Sequence, residues 1–137
     1  MQFNHIRNHV IVISEASSAL GATCAKMAAQ RGARLVLADA DEQALGELGR
    51  SLRETSAEVS CVVTNPSESD AVGRVIGHAL KRYGRMDTWV NSAGIGVLTD
   101  VHSVKDLWLW LRAFPVTVSH QEFEHALEPT PELHTLS

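Results

Sequence analysis

The run Val10-Ile11-Val12-Ile13 leads directly into Ser14-Glu15-Ala16-Ser17-Ser18-Ala19-Leu20-Gly21, and an Ala-rich stretch follows to Arg31. A short apolar run, a turn of small residues and then a helix is the opening of a βαβ unit. Such a turn lets backbone N–H groups and a helix N-terminus approach a pyrophosphate. This one segment restricts the chain to folds in which a strand delivers a loop to the start of a helix.

The rest of the chain repeats that alternation. Strand character recurs at Arg34 to Ala38, Val59 to Val63 and Thr88 to Val90. Helical patterning fills the gaps. Ala19 to Arg31 stops before Gly32, and Glu42 to Arg53 carries Leu45, Leu48 and Leu52 on one face. Pro66 and Ser67 open a stretch from Glu68 to Tyr83 with Val72, Val75, Ile76, Ala79 and Leu80 at helical spacing, and Gly84 follows as its stop. Strands alternating with helices predict an α/β fold: a three-layer parallel sheet of order 3-2-1-4 with helices on both faces. Beyond residue 101 the pattern weakens. Val104 to Phe114 reads as a helix that is apolar all round at Leu107 to Leu111, Pro115 interrupts it, and Pro129 and Pro131 mark a loose tail. The expected division is therefore a nucleotide-binding half domain at 1–101 and a divergent helical segment and tail at 102–137.

Asp39 falls at the end of the second strand, about 20 residues after the small-residue loop. An acidic residue there accepts hydrogen bonds from adenosine ribose hydroxyls and repels a 2′-phosphate, which favours NAD over NADP. With Asp41 and Glu42 close behind, the alternative is a helix-capping or loop aspartate. Both readings stay open at this stage. Asn91-Ser92-Ala93-Gly94 follows the fourth strand, where small residues let backbone approach a ligand.

Three segments in register carry a resemblance. The loop Ser14 to Gly21 resembles the T-G-x-x-x-G-x-G turn of the short-chain dehydrogenase/reductase family, Asn91 to Gly94 resembles its N-N-A-G motif, and Thr64-Asn65 stands where the family has an adenine-contacting aspartate. The resemblance runs from about His9 to Val101 and implies a Rossmann-type fold that takes NAD. By it the cofactor-binding residues are Ser14, Ser17, Ser18, Leu20, Gly21, Asp39, Asn65, Asn91, Ala93 and Gly94. Asn65 retains an acceptor oxygen and adds a donor, while Pro66 removes an N–H.

The departures bear on catalysis. The family transfers hydride between nicotinamide and a carbonyl or alcohol, with a tyrosine and a lysine four residues later handling the proton. Tyr83 is the only tyrosine here, and four residues on lies Asp87. Near the family's relay asparagine stands Ala113-Phe114-Pro115-Val116. The resemblance places the serine strand and nicotinamide pocket beyond residue 137, so the chain is expected to be a truncated N-terminal half with no catalytic residues of its own. Two loop glycines are also replaced, by Glu15 and Ala19. A glutamate at a position needing φ > 0 adds about 1–2 kcal/mol of strain, and its charge beside a phosphate costs ~1–4 kcal/mol. The expected outcome is weakened or lost NAD binding, with the Glu15 carboxylate capping the helix and filling the anion site itself.

A net charge of −4 gives no attraction to nucleic acid or an anionic membrane. No apolar segment approaches the ~18 residues of a membrane span, and Met1 to His5 lacks the apolar core of a secretory signal. Cys24 and Cys61 lack a C-x-x-C partner and read as small core residues in a reducing compartment, hence a cytoplasmic location. His120 and His125 are five apart and do not align on a helix face, and His5 and His9, four apart in the N-terminal lead-in, have no carboxylate or thiol nearby, so no metal is expected. Two functions follow: an NAD-preferring oxidoreductase module active only with a second chain, or a non-catalytic association module or fragment. The second draws on Trp108 and Trp110 within Leu107 to Leu111, which a homodimer would cover.

Overall fold

The computed structural model describes residues 6–65, 68–92 and 96–99. Within them the chain runs β1 (Val10–Ser14), α1 (Ala19–Gln30), β2 (Arg34–Asp39), α2 (Glu42–Arg53), β3 (Val59–Val63), α3 (Ala71–Tyr83), β4 (Thr88–Asn91) and β5 (Gly96–Thr99). The sheet order is β3-β2-β1-β4-β5. The first four strands are parallel and in the expected order.

Strand alternation sorts the core into two layers. Val10, Val12, Val36, Ala38 and Trp89 point to one face, where Val75, Ile76, Ala79 and Leu80 of α3 cover them. Ile11, Ile13, Leu35, Leu37 and Val90 point to the other, under Ala25 and Ala28 of α1 and Leu45, Leu48 and Leu52 of α2. Cys24 and Cys61 are half-buried and pack against this second layer. Burial of strand and helix side chains such as Ile13, Leu37 and Ile76 below 2% exposure makes this core the main source of stability.

Local chemistry sets the helix ends. Asp41 caps α2 by accepting the Ala44 N–H at 3.0 Å, with Glu42 in the first turn and Arg50 and Arg53 in the last, matching the helix dipole. Gly84 ends α3 at φ 77°, a conformation that costs glycine no Cβ clash.

Two expectations change. The helix placed from Glu68 begins at Ala71: Glu68 N–H is turned back onto the Asn65 carbonyl, and the first helical bond joins Arg74 N–H to Asp70. The sheet also gains β5, which pairs antiparallel to β4 with Asn91 opposite Gly96. A four-residue return brings the chain straight back along β4, which a parallel crossover cannot do in so short a span. Ala93, Gly94, Pro66 and the whole segment from 100 to 137, including Leu107 to Leu111, lie outside the described residues.

Candidate nucleotide site

β1 is the point where the strand order reverses: one crossover leads to β2 on its left, a later one to β4 on its right. In open α/β sheets the crevice beyond the carboxyl ends of strands at such a reversal is where ligands bind. Ser14 is paired with Ala38 on one side and Asn91 on the other. Ser14, Asp39 and Asn91 therefore reach the same edge of the sheet from three strands.

Gly21 explains how helix α1 comes so close to that edge. A Cβ there would lie 2.5 Å from the Glu15 carbonyl oxygen and 2.9 Å from Ala16 Cα. Only a glycine lets the first turn of α1 rest on the loop. Ser18 caps the helix, its hydroxyl oxygen accepting the Gly21 N–H at 3.0 Å. The N–H groups of Ala19 and Leu20, at the first two helical positions, have no acceptor within the helix. They are the donors available to an anion. Leu20 is 41% exposed on the same turn, an apolar side chain left at the mouth.

The three serines are not free donors facing outward. Ser14 Oγ lies 3.3 Å from both the Val90 carbonyl and Asn91 Oδ1, tying β1 to β4. Ser17 donates to Asp39 Oδ2 from its backbone N–H at 2.9 Å and from its hydroxyl at 2.6 Å. Ser18 accepts the Gly21 N–H as the cap and donates its own hydroxyl to Ser92 Oγ at 3.5 Å. Glu15 does stand in the left-handed region, at φ 48°. Its expected capping role is overturned, because Ser18 fills the cap and the Glu15 side chain is exposed.

Asp39 serves both sides of its loop. Oδ1 accepts the Asp41 N–H at 3.0 Å while Oδ2 takes the two bonds from Ser17. Helix capping itself falls to Asp41. Partial burial alone would raise the Asp39 carboxyl, but hydrogen bonds from Asp41, Ser17 and Ala40 outweigh it and hold the group below its ordinary value. Asp39 is thus a fixed negative charge at the sheet edge. Thr64 extends the edge, its N–H bonded to the Asp39 carbonyl at 2.9 Å, and places the exposed Asn65 beside it.

Ser92 was absent from the sequence-based set of site residues. Its hydroxyl bonds the Ser14 carbonyl, lies 3.0 Å from the Glu15 carbonyl, and stands 3.5 Å from Ser18 Oγ. It pins the loop after β1 to the end of β4. The signal available in the sequence was a hydroxyl in place of the second asparagine of the N-N-A-G pattern. Asn91 is fully buried, and its amide nitrogen has no partner among the described residues.

Tyr83 is elsewhere. Its ring sits 5.5 Å from the Arg34 guanidinium and 5.2 Å from that of Arg82. Arg34 begins β2 and Asp39 ends it, which puts the phenol at the opposite end of the strand, ~16 Å away by strand rise. Burial pushes this phenol up, and its hydroxyl has no partner among the described residues.

Comparison with known proteins gives one consistent answer. The family model for short chain dehydrogenase matches residues 9–119. The chain is 37% identical over 95 residues to the uncharacterized oxidoreductase YxnA of Bacillus subtilis, covering 69% of this chain and 27% of that protein. A short chain dehydrogenase/reductase from Burkholderia phymatum in complex with NAD superposes with a TM-score of 0.58 at 36% identity, over 60% of this chain and 29% of that one. A metagenomic short-chain oxidoreductase in complex with NADP gives 0.61 at 32% identity, over 66% and 41%. The chain thus spans well under half the length of each of these relatives.

Proposed function

This chain belongs to the short-chain dehydrogenase family, and from that premise we propose that it binds a nicotinamide dinucleotide, NAD in preference to NADP, across the carboxyl ends of β1, β2 and β4. The observation that carries the reading is Asp39: a carboxylate held ionised at the end of β2, beside the loop that precedes α1. The adenosine ribose would donate to it, and a 2′-phosphate would be repelled by ~4 kcal/mol at 4 Å near a protein surface. The Ala19 and Leu20 N–H groups face where a pyrophosphate would lie, Gly21 supplies the close approach, and Asn65 supplies an edge for the adenine. Two solved relatives, one with NAD and one with NADP, make cofactor choice a question that this side chain decides.

Glu15 and Ala19 act against affinity. Glu15 holds a left-handed backbone and an exposed carboxylate beside the phosphate position, and Ala19 adds a methyl group to the cradle. A loss of about 2–4 kcal/mol corresponds to roughly 30- to 1,000-fold weaker binding. Within these 137 residues no tyrosine is followed by lysine four positions later, and Tyr83 faces the far end of the sheet. On this reading the 137 residues supply the cofactor site, and the family's tyrosine–lysine proton handling is not among them.

Calorimetric titration with NAD tests the reading, run on the wild type and on Glu15→Gly/Ala19→Gly. The double variant is expected to bind at least about thirty-fold more tightly. No binding to either protein at millimolar NAD would sink the proposal. Equal binding to both would remove the steric argument while leaving the cofactor site.

A further inference from the structure

The cofactor reading above is the base for a second one, which concerns how Asp39 is shared. An ionised carboxylate offers about four lone-pair sites. Asp39 Oδ2 already accepts two protons, both from Ser17, at 2.9 Å from the N–H and 2.6 Å from the hydroxyl. Oδ1 accepts the Asp41 N–H at 3.0 Å. At most one acceptor site remains. A ribose diol brings two hydroxyl donors.

The donors around Asp39 differ in how easily they leave. The Ser17 and Asp41 N–H groups are fixed by backbone. The loop itself is fastened on both sides of Ser17: Ala16 N–H bonds the Ala38 carbonyl at 3.0 Å and Ser18 N–H the Glu15 carbonyl at 3.1 Å. The Ser17 hydroxyl is held by its 2.6 Å bond to Oδ2 alone and turns on a single side-chain torsion, so it can rotate away. We infer that the Ser17 hydroxyl competes with the adenosine ribose for Asp39 and so sets both the affinity for NAD and the margin over NADP. A ribose hydroxyl gains Oδ2 only when the serine hydroxyl gives it up. NADP keeps only the 3′-hydroxyl as a donor and carries a 2′-phosphate that the same carboxylate repels, so it gains less from the vacancy. Removing the hydroxyl leaves Asp39 oriented, because the Ser17 and Asp41 N–H bonds persist. Ser17 is thus a specificity-setting residue that acts through Asp39.

Titration of NAD and NADP against Ser17→Ala, Ser17→Thr and wild type decides the matter, with fold checked by circular dichroism. Ser17→Ala is expected to bind NAD about three- to tenfold more tightly, with a smaller gain for NADP. Ser17→Thr, which restores a hydroxyl, brings NAD affinity back toward wild type. Ser17→Cys, a weaker donor of similar size, gives a smaller gain in the same direction and serves if the alanine variant does not fold. Unchanged or weaker NAD binding in Ser17→Ala, or an equal gain for both cofactors, overturns the competition while the cofactor site stands. If the wild type binds too weakly to titrate, the same series is run in the Glu15→Gly/Ala19→Gly background; no NAD binding in either background overturns both.

Discussion

Helices α1 and α3 pack on opposite faces of the sheet with side chains of different size, and only α1 starts at the candidate site. Under α3 the contacts are bulky: Val75, Ile76 and Leu80 meet Val10, Val12 and Trp89. Under α1 they are small, with Gly21, Ala25 and Ala28 as its buried residues. Small residues let α1 settle close to β1 and bring its unbonded N–H groups over the sheet edge. Large residues fill the space between α3 and the sheet, and α3 reaches a strand end only through Arg74, which donates to the Val63 carbonyl at 2.7 Å. Side-chain volume on the buried face is therefore what separates α1 from α3.

That contrast can be broken from either side. Ile76→Ala, at a fully buried position under α3, should cost about 2–5 kcal/mol in chemical denaturation. If the faces are separable, the folded fraction keeps its NAD affinity; a matching fall in affinity would show that they are coupled. Asp39→Asn should weaken NAD by about 1.5–3 kcal/mol of charge-assisted hydrogen bonding. It should also narrow the preference over NADP, read by titrating both. Gly21→Ala is expected to lose about 1–3 kcal/mol of stability from overpacking. Unlike Ile76→Ala, it should also displace the start of α1 and lower NAD affinity in the protein that still folds.

The smallest effect belongs to the supporting face. Burial, with Arg82 and Lys81 nearby, holds His78 below its ordinary value, and its Nε2 lies 2.5 Å from Ser60 Oγ. A base with a depressed folded pKa binds fewer protons in the native state than in the unfolded state. Its contribution is present above the unfolded value of about 6.5 and is lost as pH falls through the folded one. A shallow loss of stability below about pH 6.5 should therefore shrink in His78→Gln. An unchanged profile would assign the loss to other groups.

Much of this was legible in the chain itself. Periodicity located α2 from Glu42 to Arg53 and the strand Val59 to Val63 with no change of boundary. The apolar alternation with intervening helices fixed the order of the parallel strands, and the position of Asp39 at a strand end marked the edge where a ligand would sit. Other features were out of reach. Pro66 and the residues after it suggested an earlier helix start than Ala71, because spacing alone does not tell a turn from a first helical turn. The Gly96–Thr99 run is four residues long, too short for its pattern to declare a direction.

The sequence by itself determined the strand–loop–helix order, the two apolar faces and the family to which they belong, because these depend on residue type and on spacings within one or two turns. Tertiary structure alone decided which polar groups meet. Ser17 reaches Asp39 across 22 residues, and Ser92 reaches Ser14 and Glu15 across 78 and 77. Hydroxyls that read as donors for a ligand are spent inside the protein, Glu15 gives the cap to Ser18, and β4 finds an antiparallel neighbour. A hydrogen bond is settled by distance and angle between groups that only folding brings together, and no local pattern in the chain encodes that meeting.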